Sequence, residues 1–195
     1  MNMRLDEDLL KSAELGVAGC RVYSWTEPWI TLGKFQSPEK DLMPGSDVPW
    51  VLRPTGGKAV LHGHDITVGF AMPLAGSSRS LRAVYRAMAD PLICALRECG
   101  LPAALGENTR FSGRGPRVAD CFAYLSANDI VDERTGQKVC GCALKVTRTA
   151  ALVQASIPAG RPLVDPATVI VGGKALVGPP WDSERFAQAL QKALA

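Results

Sequence analysis

The chain has 195 residues, 47% of them hydrophobic and 21% charged, with a formal net charge of +3. That balance describes one ordinary globular domain over residues 1–195, able to bury its own core without disulfides or a structural metal. It argues against a nucleic-acid partner, because the basic residues are scattered. Arg110, Arg114 and Arg117 form only a mild cluster, with no basic stripe and interleaved aromatics. No run approaches the ~20 apolar residues of a membrane span, and Asp6, Glu7 and Asp8 stand where a signal peptide would be apolar. A cytoplasmic protein with no membrane partner is expected.

Leu5, Leu9, Leu10 and Ala13 recur at helical spacing and Gly16 and Gly19 follow, which predicts a helix over 5–15. Strands over 20–25 and 30–32, separated by Glu27-Pro28, read as a hairpin ending at Gly33. Pro38, Pro44, Gly45 and Pro49 mark a loop. Short strands over 50–53 and 59–62 flank Gly56-Gly57, and another runs over 66–72. The strongest helix is 81–99, with Val84, Met88, Leu92, Ala95, Leu96 and Cys99 on one face and Pro91 expected to kink or divide it. A glycine-rich loop over 106–118 precedes strands at 128–132, 137–146 and 150–157, the last two a hairpin. Residues 158–181 are rich in Gly and Pro and carry no interpretable motif. A final amphipathic helix runs from Asp182, a suitable N-cap, to Leu194. Strands dominate the middle without regular alternation with helices, which predicts an α+β fold: a mixed β-sheet with flanking helices.

The densest chemical signal is Arg53-Pro54-Thr55-Gly56-Gly57-Lys58-Ala59-Val60-Leu61-His62. Adjacent glycines between short strands let backbone N–H groups approach a ligand with no Cβ in the way. Arg53 and Lys58 beside them supply positive charge for a carboxylate, thioester oxygen or phosphate. A plain Gly-Gly hairpin turn is the other reading of the same residues. His62 and His64 suit acid, base or orienting roles, or form a polar turn. Six cysteines, Cys20, Cys94, Cys99, Cys121, Cys140 and Cys142, are expected as thiols in a cytoplasmic protein. Cys140-Gly141-Cys142 lacks a second ligand pair at zinc spacing, so no metal site is expected.

The 53–62 run resembles the R-R-x-[ST]-G-G-x-A-V-x-H signature of the superfamily of lipoate-protein ligases, octanoyltransferases and biotin ligases. Other blocks follow in that family's order. Asn2-Met3 with Asp6 resembles its N-terminal start, and Arg21 to Trp25 with Pro28, Gly33 and Gln36 resembles its next segment. Lys138-Val139-Cys140-Gly141-Cys142-Ala143 resembles K-[IV]-x-G-[ST]-A, and Gln154-Ala155-Ser156-Ile157 resembles H-G-[ST]-[IL]. Leu52 replaces the first arginine, Cys142 a small hydroxyl residue, and Gln154-Ala155 the His-Gly pair. The resemblance implies the catalytic-domain fold shared with class II tRNA synthetases and biotin synthetases.

The resemblance also implies site roles. Lys138 would polarise an acyl carbonyl and favour a nearby thiolate. Cys121, in a C-F segment upstream of that lysine, would be the nucleophile of a ligase-like octanoyltransferase, or else a buried apolar cysteine. Cys140 and Cys142 are rivals, since both are even-numbered like Lys138 and should share its face of the strand. Cys20, Cys94 and Cys99 are expected in strand or helix core positions, with structural roles. Arg53 would contact the donor, with Thr55, Gly56, Gly57, Ala59, His62, Gly141, Cys142 and Ala143 binding substrate. The reading is transfer of an octanoyl group from an acyl carrier protein to a lysine of a lipoyl-domain protein, without cofactor. The alternatives are a ligase, for lipoate or less readily biotin, using ATP and magnesium, and a non-catalytic lipoyl-domain binder.

Overall fold

The computed structural model of the protein describes residues 2–74, 80–113 and 115–195; Arg114 of the basic cluster lies outside them. In chain order the elements are α1 (Asn2–Glu14), β1 (Gly19–Ser24), β2 (Trp29–Leu32), a short α2 (Pro38–Asp41), β3 (Trp50–Leu52), β4 (Val60–His62) and β5 (Asp65–Pro73). There follow α3 (Leu81–Glu98), β6 (Ala103–Leu105), β7 (Ile130–Asp132), β8 (Lys138–Val146), β9 (Ala150–Pro158) and α4 (Phe186–Leu194). A six-stranded sheet has the order β1-β5-β9-β8-β7-β6, antiparallel throughout, and a three-stranded sheet has the order β3-β2-β4. The fold is α+β as expected, and its mixed pairing lies in the small sheet, where β2 runs parallel to β3 and antiparallel to β4.

The hairpin expected of β1 and β2 does not form. β1 pairs with β5 in the large sheet and β2 lies in the small one. Local spacing pointed to pairing, but the residues on either side of Glu27-Pro28 are claimed by different sheets. The β8–β9 hairpin forms in register from Val146↔Ala151 to Gly141↔Ser156. Pro91 does not divide α3, which runs unbroken over 18 residues and starts on a side-chain cap at Ser80. Asp182 accepts from the backbone N–H groups of Glu184 and Arg185, capping a turn that leads into α4 four residues beyond it. The strand Ala103–Leu105, which carries only three small or apolar residues, had no periodic signal.

Strict alternation along the central strands sorts side chains onto two covered faces. Ala151, Val153, Ala155 and Ile157 of β9 join Val68 and Phe70 of β5 and the apolar stripe of α3 and α4. Gln154 and Ser156 face the other way, and Leu152 packs with Ala71, Leu10 and Ala13 under α1. The small sheet has its own core, in which Ile30, Leu32 and Ala59 pack on Leu42, Val169 and Ile170. Val169 and Ile170 come from the 158–181 stretch, which carried no motif and whose structural role is to close that core.

One buried carboxylate fastens α1 across the large sheet. Asp6, with no exposed surface, accepts from Arg21 at 2.6 Å, Tyr23 at 2.9 Å and the Gln154 amide at 2.7 Å. Gly69 lies directly beneath, where a Cβ would come within 2.4 Å of the Asp6 carboxylate. Arg21 keeps part of its side chain in solvent, so removing the carboxylate chiefly strands the Tyr23 and Gln154 donors, a loss of about 1–3 kcal/mol. Asp6→Ala should therefore lower the unfolding free energy measured in urea by that amount, with Asp6→Asn milder because it keeps an acceptor; a stability unchanged in Asp6→Ala would refute the clamp.

Candidate active site

Cys121 is carried by a loop that pairs edge-on with the glycine turn. Ala59 bridges Asp120, the Ala59 N–H donates to Ala119 C=O, and the Cys121 N–H donates to Ala59 C=O, each at 2.9 Å. Residues far apart in sequence are thereby held one peptide from each other. The loop is braced from behind, since Ala119 N–H donates to Val171 C=O and Lys174 N–H to the Asp120 carboxylate.

Lys138 reaches the same point from the start of β8. Its Nζ donates to Cys121 C=O at 2.7 Å and to Cys121 Sγ at 3.3 Å, and forms an ion pair with Asp129 at 3.0 Å. Residue parity had placed Lys138 on one face with Cys140 and Cys142; the structure separates them. On β8, Lys138 pairs with Val131 while Cys140 pairs with Ile130, so two steps on β8 match one on β7. This bulge inserts an extra residue and reverses the facing of everything before it. Lys138 consequently shares a side with Gly141, whose Cβ, if present, would stand 3.3 Å from Lys138 Cε and 3.1 Å from Cys121 Sγ. Cys140 and Cys142, their sulfurs 3.5 Å apart, turn toward the α3 core instead. Cys142 still lines the rim of the cavity beside Cys121. Of the other cysteines, Cys99 is buried but Cys20 and Cys94 are exposed, not core positions.

The electrostatics of this cluster differ from a simple activated thiol. Burial pushes the Cys121 thiol above its ordinary value; Lys138 and Arg53 pull it down, and Asp129 adds to the rise. Burial also works against the Lys138 charge, but Cys121 and Asp129 outweigh it and hold the ammonium protonated. Sequence reasoning missed Asp129, whose only signal was an acid entering an apolar strand at Asn128-Asp129-Ile130.

The glycine turn forms one wall of a narrow, mainly apolar cavity of about 410 Å³ including its mouth. Cys121, Gly141 and Ala143 line it opposite Gly57, Val60 and Arg53. Gly57 has φ +86°, and a Cβ there would press on Arg53 and stand 3.6 Å from the Ala143 methyl. Arg53 is buried and invested in the turn: Nη1 donates to Thr31 C=O, Nη2 to the carbonyls of Gly56 and Lys58, and Nε to Thr55. Burial lowers its pKa to about 10, so it stays charged at neutral pH. Its donors are thus committed to shaping the loop. Gly33 and Gln36 complete the support. A Cβ on Gly33 would strike Gly57 C=O, while the Gln36 side chain accepts from Gly33 N–H and donates to Ala119 C=O.

Two polar strings floor the cavity. Thr55 donates to Gln154, and Gln154 donates to Asp6, joining the glycine turn to the α1 clamp. His62 is buried, with Nε2 at 2.9 Å from Thr31 Oγ1 and Nδ1 at 2.8 Å from Asp65. Burial would raise the Asp65 carboxyl, but His62 and the Ser156 hydroxyl more than offset this and hold it below its ordinary value. His64 stands apart from this string, and burial lowers its pKa. Among the described residues, no group of three or more His, Cys, Asp or Glu is placed to hold a metal, and no helix is long and apolar enough to cross a membrane.

Known proteins resemble this chain in sequence and in fold. The octanoyltransferase LipM of Exiguobacterium sp. is 31% identical over 169 residues, 80% of this chain but 60% of that protein, so the chain spans less than two thirds of its length. A bi-partite lipoate protein ligase of Thermoplasma acidophilum, from a structural study that includes its E2 lipoyl domain, matches with a TM-score of 0.73 at 18% identity. That match covers 99% of this chain and 76% of the neighbour. Lipoate-protein ligase A bound with ATP gives a TM-score of 0.74 at 18% identity, covering 98% and 77%. At that identity both are likenesses of fold. Residues 1–170 match the lipoyl protein ligase A/B catalytic domain, and the chain belongs to that family.

Proposed function

We propose that this chain acts as one catalytic domain over 1–195 that moves an octanoyl group from an acyl-carrier thioester to a lysine of a lipoyl-domain protein. The observation that supports it most is Cys121 Sγ lining an apolar cavity, hydrogen-bonded by a buried, protonated lysine. The similarity to an octanoyltransferase supports the choice of acyl group, and membership of the lipoyl protein ligase family supports a lipoyl-domain acceptor. In the first step Cys121 sulfur attacks the donor thioester carbonyl, the carrier sulfur leaves, and the Cys121 proton departs with it as the carrier thiol. In the second, the neutral ε-amine of the acceptor lysine attacks the Cys121 thioester. The amide forms, the Cys121–acyl bond breaks, and the amine proton returns to the sulfur. Both steps exchange bonds of similar energy or run downhill to an amide, so neither needs ATP.

Within this reading Lys138 donates to the carbonyl oxygen as it gains negative charge, and Asp129 keeps that ammonium aimed. Gly57, Gly141 and Ala143 leave room for the chain, while Gly56, Ala59 and Thr55 hold the turn that carries them. Arg53 acts through the loop. Cys142 borders the rim, and His62 holds the floor with Asp65. A cytoplasmic setting agrees with a working thiol.

One observation favours a second reading, an ATP-dependent lipoate ligase. The Lys58 ammonium is buried and has no hydrogen-bond partner among the described residues, lying 5.1 Å from the centre of the Tyr124 ring. An adenylate phosphate would satisfy it, and that reading brings ATP and magnesium.

Incubation with octanoyl-carrier protein, without ATP or magnesium, separates the readings by intact-protein mass spectrometry. Wild type should gain one octanoyl group, reversed by hydroxylamine and lost in Cys121→Ala. Acylation of a lipoyl domain only when lipoate, ATP and magnesium are supplied would establish the ligase, and no turnover under either condition would leave a binding protein. The thiol environment gives an independent check, because only the thiolate alkylates. Mapped by peptide mass, Cys121 alkylation by iodoacetamide should have its pH midpoint above that of an ordinary cysteine. Lys138→Met should move the midpoint further up, by removing a charge that favours the thiolate. Asp129→Asn should move it down; equal midpoints in all three proteins would contradict the electrostatic assignment.

A further inference from the structure

Two cavities in this molecule meet at a single side chain. The first is the slot beside Cys121. The second is an open pocket of about 930 Å³ walled by Trp25, Trp29 and Trp50 with Val51 and the first turn of α1. Among the described residues, Met3 is the one lining residue that both share.

Strand register shows where Met3 stands relative to the thiol. Cys121 sulfur lies over Gly141, and two residues further along β8 Ala143 pairs with Gln154 of β9. The Gln154 amide touches Met3 sulfur at 3.3 Å. A chain attached to Cys121 and laid along Gly141 and Ala143 thus advances roughly 7 Å, two residues of strand rise, before Met3 closes its path. The polar groups there are already paired to one another, Thr55 with Gln154 and Gln154 with Asp6. Met3 is therefore the apolar part of the barrier. Beyond it the tryptophan walls offer apolar surface, with Trp50 44% exposed in a pocket that no side chain fills. The Asp6 clamp, three residues further along, also anchors α1 through Arg21 and Tyr23, which do not involve Met3.

We propose that Met3 is the end wall of the acyl slot and sets the chain length accepted, and that the tryptophan pocket takes the tail of a longer chain once this wall is cut back. The proposal rests on the acyl-transfer reading of Cys121. An unbranched thioether with several rotatable bonds suits a wall that yields to one substrate but does not vanish. A wall at this place also gives the Asn2-Met3 motif a role that the sequence alone did not supply.

The test is a competition between octanoyl and dodecanoyl thioesters of acyl carrier protein at equal concentration, read as the ratio of the two adducts by intact mass. Wild type should favour octanoyl by at least about tenfold, the discrimination a close apolar wall can impose. Met3→Ala should bring the ratio to parity or reverse it, whereas Met3→Leu, which conserves volume, should keep it. Dodecanoyl loading equal to octanoyl in wild type, or an unchanged octanoyl preference in a folded Met3→Ala, overturns the proposal. Should Met3→Ala lose its cooperative melting transition, Met3→Val is read by the same criterion. If wild type takes up neither chain, the acyl-transfer reading falls, and the wall is judged by binding alone. Dodecanoic acid should then raise the melting temperature of Met3→Ala but not of wild type, and equal shifts would overturn the wall.

Discussion

An ammonium shut away from water has to be met by opposite charge and by carbonyl oxygens, and the site is arranged around that demand. Leaving Lys138 unpaired would cost several kcal/mol. Asp129 supplies the charge, while the carbonyls of Cys121 and Tyr124 supply further acceptors. Because those carbonyls belong to the loop that holds Cys121, satisfying the lysine also fixes the thiol. Burial is the main reason the resting sulfur stays protonated, and Asp129 adds to it by answering part of the positive field that would favour a thiolate. The ammonium is held ready for charge that appears only when a carbonyl is attacked.

The slot exists because three positions lack a Cβ. Gly33 allows the glycine turn to close on β2, Gly57 turns back with positive φ toward Ala143, and Gly141 makes room for the cysteine sulfur. Each is a close approach of backbone that any side chain would obstruct. Arg53 does similar work at larger scale. A guanidinium with its donors directed at three backbone carbonyls and a hydroxyl is a rigid template for the loop.

Support for the site extends through polar contacts to the first helix. Asp6 gathers Arg21, Tyr23 and Gln154, and Gln154 passes the connection to Thr55 beside the glycine turn. A glutamine at that place can donate to a carboxylate and accept from a hydroxyl at once. Gln154 therefore links the two ends of the network on its own.

The element types, the α+β class, the β8–β9 hairpin and the chemical runs at 53–62 and 138–143 were legible in the sequence, because periodicity and turn residues are local properties. The pairing of Cys121 with Lys138 was legible only through resemblance. Tertiary structure decided three other matters. The β1–β2 hairpin gave way because β1 pairs with β5 and β2 with β3 and β4, partners distant in the chain from the Glu27-Pro28 turn. Asp129 and Asp6 became important by burial, which composition does not report. A single bulge opposite Ile130 and Val131 overturned the parity of β8, taking Lys138 to Cys121, burying Cys140 in the core and leaving Cys142 packed against it. Side-chain facing alternates only while the ladder is regular, and whether it stays regular is settled by the neighbouring strand.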